Sequence, residues 1–296
     1  MQNVISLRGS AGIMIHKIPM YVGSIRLWES LYAMPFGYIG MVLAADGWPG
    51  SGTFIWITVA MFGARTLGMS TNRLVHHKED LANPRTADRH LPKGLIKPWE
   101  VLMMMVVSTG IFFYAASQLN GLALALAPVA AAYVVLYSFA KYHTWACNFM
   151  LGWALGISPS AAWIAVTGRL DPEAALLSFA VATWAGGFDV VYGCTDYDFD
   201  GRYGVKSVPR RFGINNALRI AKVMHLFAAA ALLAVGLWHG LSYFYFTGWA
   251  IAVALLAFEN SLVRADNLSK LRSPFFKYNS AISVVLLVFT ILAVVA

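Results

Sequence analysis

Residues 98–140 read PWEVLMMMVVSTGIFFYAASQLNGLALALAPVAAAYVVLYSFA, with Glu100 the sole charged side chain. The apolar character is continuous rather than alternating, which excludes the strand of a membrane barrel. Lipid offers the backbone no hydrogen-bond partner, so such a run must close its own hydrogen bonds as a helix. Roughly 20 apolar residues cross the hydrocarbon core. The stretch therefore reads as two spans, 98–118 and 121–140, separated by the short gap 119–120. Extended in both directions, the same reading gives spans near 28–46, 53–72, 146–167, 174–194, 217–238, 243–261 and 276–295. The expectation is an all-α integral membrane bundle of about nine transmembrane helices, a single membrane-embedded domain over residues 1–296.

Composition agrees. The chain is 59% hydrophobic and 12% charged, where a soluble domain carries about 25% charged residues. Too few charges remain to cover a wet surface. Cys147 and Cys194 suggest neither a disulfide framework nor a zinc site, and residues 1–17 lack a cleavable signal pattern, so targeting rests on the first span.

The net charge of +8 would suggest nucleic acid in a soluble protein. Here the basic residues follow topology instead. Gaps 47–52, 119–120, 168–173 and 239–242 are short and nearly free of Lys and Arg, Arg169 excepted. Gaps 73–97, 195–216 and 262–275 are long and basic, Lys141 sits in another, and Arg8, Lys17 and Arg26 precede the first span. In a nine-span arrangement all of these basic positions face one side. The positive-inside rule makes that side cytoplasmic and puts the C-terminus outside. The excess also attracts anionic lipid.

Two stretches place ionisable residues at or beside membrane depth, where they are costly and point to function. The first is Asn72-Arg73-Leu-Val-His76-His77-Lys78-Glu79-Asp80, followed by Asn83-Pro84-Arg85-Thr86. At about 100° per residue, Arg65, Asn72, His76 and Glu79 share a stripe, with Asp80 at its edge. Pro84 should end the helix just beyond. In the second, Asp189, Asp196 and Asp200 are spaced by seven and four, which places three carboxylates on one helix face with Tyr192 beside them and Asp198 pointing away. Like charges so placed repel unless a cation lies between them, and Mg²⁺ commonly bridges a carboxylate to a substrate phosphate. The alternative is a solvated helix end paired with Arg202, Lys206, Arg210 and Arg211. It does not account for Asp189, which lies inside an apolar run.

These motifs, in this order, resemble the membrane-bound UbiA prenyltransferase superfamily. The similarity is greatest to the 4-hydroxybenzoate polyprenyltransferases and the related enzymes of menaquinone synthesis. The resemblance covers nearly the whole chain. It includes Ala33-Met-Pro35-Phe36, Tyr137-Ser-Phe-Ala-Lys141, the Leu151–Gly168 segment with Gly152, Gly156, Pro159 and Trp163, and Val205 to Gly213 with Ser207, Pro209 and Phe212.

The resemblance implies a helical bundle around a central cavity open toward lipid. It implies transfer of a prenyl group from an isoprenoid diphosphate to an aromatic acceptor such as 4-hydroxybenzoate, with Mg²⁺ as cofactor and no nucleic-acid partner. Asn72, Asp80, Asp189, Asp196 and Asp200 would hold Mg²⁺ and the diphosphate, with Asp189, Asp196 and Arg65 closest to the chemistry. Arg73, Arg85 and Lys206 would bind diphosphate, or be the cations that topology places there anyway. Arg65 and Lys141 border apolar spans; Arg65 would orient an acceptor carboxylate or pair with a buried acid. Tyr137 and Tyr192 would line the cavity or serve as interface aromatics. The implied location is a prokaryotic cytoplasmic membrane, with the site on the cytoplasmic side.

The chain departs from the pattern at several positions. His76 stands where the family usually has an acid. The expectation is that Glu79, one turn along, replaces that acid at the metal while His76 binds a diphosphate oxygen; the alternative is that Glu79 pairs with Lys78 or Arg73 in solvent. His77 and Lys78 replace a usual arginine and acid, Gly201 and Tyr203 stand where Arg and Glu are frequent, and Trp28 and Glu29 also differ. A catalytically silent membrane homologue, acting as a lipid-binding or scaffold subunit, is the second reading. A transporter is the third, weakened by the clustering of acids at one membrane face rather than at a midplane site.

Overall fold

The computed structural model describes residues 17–26, 30–266, 268 and 272–296, with backbone alone at 30–32 and 272–276. Arg8, Trp28 and Glu29 lie outside the described residues. Among those described, every regular element is helical. A short helix α1 covers 17–24. Then follow α2 (Ser30–Ala45), α3 (Ser51–Val75), α4 (His77–Ala82), α5 (Pro98–Ser117) and α6 (Gly121–Leu136). A 3₁₀ turn (Tyr137–Phe139) leads into α7 (Ala140–His143), α8 (Cys147–Thr167), α9 (Pro172–Cys194), α10 (Tyr197–Arg202) and α11 (Val208–Phe212). The chain closes with α12 (Ile214–Trp238), α13 (Tyr243–Leu262) and α14 (Arg272–Val295).

Among the described residues, seven helices are long and apolar enough to cross a membrane, falling in α5, α6 continued through the 3₁₀ turn and α7, α8, α9, α12, α13 and α14. The other two expected spans differ for separate reasons. The apolar part of α2, Ala33–Ala45, is shorter. α3 has 25 residues, but its second half carries Arg65, Ser70, Thr71, Asn72 and Arg73. The polar stripe read from the sequence is what lowers its hydropathy.

Proline and glycine punctuate the bundle as their backbone constraints require. Pro98 and Pro172 sit in the first turns of α5 and α9, where a missing N–H costs nothing. The α8–α9 contact depends on small residues: a Cβ at Gly152 would strike the Ala182 carbonyl, so only glycine allows this approach. α9 is the most enclosed of the seven spans. Its Leu177, Val181 and Trp184 pack with Phe36, Ile39, Trp163, Leu232, Leu256 and Leu286 in the main apolar core. Large apolar side chains including Val106, Tyr114, Val129, Leu226 and Leu237 point outward. An outer surface this apolar suits lipid, not water.

Candidate active site

Two chambers lie end to end within the bundle. The polar one, about 190 Å³, is walled by α3 and α4, the 83–89 turns, the 3₁₀–α7 segment, the first turn of α8, the end of α9, and α10. The apolar one, about 440 Å³, is walled mainly by alanine, leucine and methionine of α3, α6 and α8. Arg65, Met69, Tyr137 and Leu155 line both and form a collar between them.

Both motifs break their helices at the polar chamber. α3 ends at Val75 and α4 begins at His77, with His76 between them at φ −97° and ψ 21°. α4 stops at Ala82, one residue before the Asn83-Pro84 pair, as expected. On the opposite wall α9 ends at Cys194, and Asp196 caps α10 at φ −103° and ψ 9°. The expectation of one continuous helix face for Asp189, Asp196 and Asp200 therefore needs correction. A break lies between the first acid and the other two, yet all three line the chamber. Asp198 is exposed and does not.

The acids are held by specific partners. Asp189 accepts from Asn148 Nδ2 at 2.7 Å, and Asn148 Oδ1 accepts from the Val208 backbone at 3.0 Å. Arg85 grips Asp196 through two nitrogens, with Nε at 2.8 Å from Oδ1. It also donates to Tyr192 Oη at 2.9 Å. Burial works against the charge on Arg85, but the bonds and charge of Asp196 outweigh it and raise its pKa. Asp80 takes both oxygens' bonds from Arg89 Nη1 at 2.7 and 2.6 Å, with Arg73 at 3.8 Å. Burial pushes the Asp200 carboxyl up to about 6; Lys141 opposes this and Asp196 adds to it.

The solvated-helix-end alternative fails on these contacts. The partner of Asp196 is Arg85, from the first motif, while Arg210 lies 4.5 Å from the Tyr197 ring centroid. Gly201 makes room for that arginine, since a Cβ there would sit 2.9 Å from the Arg210 guanidinium. Tyr203 stacks on Phe199 at 4.3 Å.

His76 Nδ1 lies 3.0 Å from Tyr142 Oη, which donates to Glu79 Oε1 at 2.9 Å. Burial, and then the charge of Lys141, lower the His76 pKa to about 4, so the ring is neutral at pH 7. Glu79 is thus engaged by Tyr142, not by Lys78 or Arg73. Arg65 makes no ion pair with any described acid, and its buried Nε has no hydrogen-bond partner.

Of the residues singled out in the sequence, Arg65, Asn72, Arg73, His76, Glu79, Asp80, Arg85, Tyr137, Lys141, Asp189, Tyr192, Asp196 and Asp200 all line the polar chamber. Lys206 does not. It is exposed, and its ammonium reaches the His143 carbonyl at 3.3 Å. Sequence reasoning missed Asn148, Arg89 and Tyr142. Asn148, a buried amide in the first turn of an apolar helix, carried a legible signal. Arg89, four residues after Arg85, carried a weaker one, and Tyr142 carried none.

The donor set is carboxylate and amide oxygen, the chemistry Mg²⁺ prefers. Among the described residues, no three His, Cys, Asp or Glu stand close enough to form a ready metal cluster; Arg85, Arg89 and Asn148 bond the Asp196, Asp80 and Asp189 carboxylates. The chamber wall carries six cations (Arg26, Arg65, Arg73, Arg85, Arg89, Lys141) against five carboxylates. One dication would raise that excess to about three charges, near the charge of an ionised diphosphate. The residues fit a divalent ion that arrives with such a group.

Residues 33–281 match the model of the UbiA prenyltransferase family. The chain is 33% identical over 258 residues to a 4-hydroxybenzoate octaprenyltransferase of Aeromonas salmonicida (strain A449), covering 87% of this chain and 86% of that protein. Its fold matches a UbiA homolog from Aeropyrum pernix K1 with a TM-score of 0.81 and 27% identity, over 88% of this chain and 96% of the other. A more distant UbiA homolog, from Archaeoglobus fulgidus and solved with DMAPP and Mg²⁺ bound, matches with a TM-score of 0.65 and 15% identity, over 89% and 99% of the two chains.

Proposed function

This chain belongs to the UbiA prenyltransferase family, and on that premise we propose that it transfers a prenyl group from an isoprenoid diphosphate to an aromatic acceptor of the 4-hydroxybenzoate type in quinone biosynthesis. It is an integral membrane protein. The observation that carries the reading is the pair of chambers joined at a collar: a charged one sized for a small head group and an apolar one for a hydrocarbon tail.

The diphosphate enters the polar chamber, where Arg73, Arg85 and Lys141 neutralise it. His76, neutral and short of a partner at Nε2, lines the same space. Asn72, Glu79, Asp80, Asp189, Asp196 and Asp200 would hold Mg²⁺. When bound, the ion takes negative charge from the leaving diphosphate and so eases cleavage of the allylic carbon–oxygen bond. The tail extends past the collar into the apolar chamber. Tyr137, Phe188 and Tyr192 line the polar chamber and would lend aromatic surface to a developing allylic cation. Arg65, a cation at the collar without an acid partner, binds the acceptor carboxylate and sets the aromatic ring between the chambers. The site faces the cytoplasm, where the basic 73–97 and 195–216 gaps lie by the positive-inside rule. The location fits a prokaryotic cytoplasmic membrane.

The test incubates purified protein with Mg²⁺, geranyl diphosphate and a panel of phenolic acids, with product mass as readout. A prenylated 4-hydroxybenzoate that disappears with EDTA is expected. No product with any acceptor would instead favour a silent membrane homologue.

A further inference from the structure

A single hydroxyl bridges the break that carries the first motif. Tyr142 Oη lies 3.0 Å from His76 Nδ1, 2.9 Å from Glu79 Oε1 and 3.2 Å from the Val75 carbonyl. These three groups belong to the end of α3, the residue between the helices, and α4. A phenol has one proton to give. The Val75 carbonyl and an ionised Glu79 are both acceptors, and the charged one forms the stronger bond. The proton therefore goes to Glu79, and His76 Nδ1–H must donate to the phenol oxygen. The other ring nitrogen, Nε2, is buried with no hydrogen-bond partner among the described residues. Glu79 has its Oε1 occupied, and its Oε2 has no partner among the described residues. His76, Glu79 and Tyr142 all line the polar chamber, beside Asn72 and Asp80.

We propose that Tyr142 is a positioning residue for the divalent-ion side of this chamber, holding Glu79 by one oxygen so that the other is presented where the first motif lacks its acid. The proposal rests on the reading that the chamber binds a divalent ion with a diphosphate. The physical basis is that a ligand carboxylate hydrogen-bonded through one oxygen gains a fixed orientation. Removing such an outer partner typically weakens metal binding by about 10- to 100-fold. His76 contributes by satisfying the phenol oxygen while staying uncharged, which a lysine or arginine at position 76 would not do.

The test measures Mn²⁺ binding by electron paramagnetic resonance on the full chain in lipid nanodiscs, with an inert thiolodiphosphate analogue of geranyl diphosphate present. Melting temperature is read alongside. Tyr142→Phe should weaken Mn²⁺ binding at least tenfold with melting little changed, and Glu79→Gln should weaken it equally. The two together should be no worse than either alone. His76→Asp supplies an acid directly, so in that background Tyr142→Phe should have little effect. If Tyr142→Phe fails to accumulate, Tyr142→Gln, which keeps a donor of shorter reach, is read the same way. Unchanged Mn²⁺ binding in Tyr142→Phe overturns the proposal. So does an equal loss in the wild-type and His76→Asp backgrounds, which would mark a general packing role. A wild type that turns over no diphosphate–acceptor pair, yet shows the Tyr142-dependent binding, sinks the transferase reading and supports the positioning role.

Discussion

The α9–α10 wall and the α3–α4 wall of the polar chamber carry the same kinds of residue and hold them by different means. α9 is the most enclosed span of the bundle, packed between α8 and α12, and Asp189 is placed by that packing, with Asn148 donating to its carboxylate and to its backbone carbonyl. Around the α3–α4 break the buried residues are mostly polar, with Ser70, Thr71 and Arg73 at the end of α3 and Asp80 in α4. Asp80, His76 and Glu79 are placed by polar contacts: Arg89 on Asp80, Thr86 Oγ1 on the Asp80 carbonyl at 2.9 Å, and Tyr142 across the helix break. Packing tolerates an isosteric change that keeps shape, whereas a hydrogen-bonded wall loses geometry along with the bond. The two walls should therefore fail differently when mutated.

The largest effects are expected on the packed wall. Asp189→Asn and Asp196→Asn keep shape and remove charge. Each should lower turnover by about 10² or more, the scale for losing a principal electrostatic contact; melting temperature should stay nearly unchanged for Asp189→Asn, whereas Asp196→Asn, which takes the charged partner from the buried Arg85, should also melt earlier. Steady-state kinetics and a thermal melt on the same samples check both halves. A large melting shift without loss of turnover would show that these acids serve the fold, and would erase the contrast between the walls.

Arg65 stands between the walls and belongs to neither network. An unpaired arginine that binds the acceptor carboxylate is worth a charge-assisted hydrogen bond of about 1.5–3 kcal/mol. Arg65→Leu should therefore raise the acceptor KM by roughly 10- to 100-fold, with little change in the diphosphate KM. Equal effects on both substrates would move Arg65 into the diphosphate site.

Next comes the hydrogen-bonded wall itself. Arg89→Leu leaves Asp80, 7% exposed, with Arg73 at 3.8 Å as its remaining cation. Turnover should fall about tenfold, and here the melting temperature should fall too, because an under-paired buried charge costs on the order of 1–3 kcal/mol. Turnover loss without a melting shift would make this wall behave like the other one.

The fold was legible because its signal is redundant: seven spans announce themselves by length and apolarity alone. α3 was read as a span despite failing that test, and its polar stripe, Arg65, Asn72 and His76 included, lines the polar chamber. The chamber was legible where residues carry an unusual charge in an apolar context, as with Arg65, Lys141 and Asp189. The pairings were not legible. Arg85 reaches Asp196 across 111 residues, and Tyr142 reaches Glu79 across 63; no local spacing encodes either. The helix breaks at His76 and Asp196 were missed for a related reason. A seven–four spacing fits one continuous helix as well as two helices meeting at a chamber. Lys206 was misplaced because a basic residue near a membrane face satisfies topology and chemistry equally well, and only its exposure separates them.

The smallest expected effect is also the sharpest control on the comparison. Asp198 lies two residues from Asp196 and two from Asp200, in the same short helix. It is exposed and takes no part in the chamber wall. If the packed wall works by where its acids are placed, Asp198→Asn should change turnover by less than about twofold, since surface changes away from such features are near neutral. If it works by the bulk negative potential of the segment, Asp198 should matter nearly as much as its neighbours. That dependence would weaken with salt, because exposed charges are screened over about 8 Å at physiological ionic strength. Measuring Asp198→Asn and Asp196→Asn side by side, at low and at physiological salt, separates the two. A loss at Asp198 that matches Asp196 at low salt and shrinks with added salt would mean that net charge, not placement, drives the α9–α10 wall. Turnover that stays near wild type at both salt levels leaves placement as the cause.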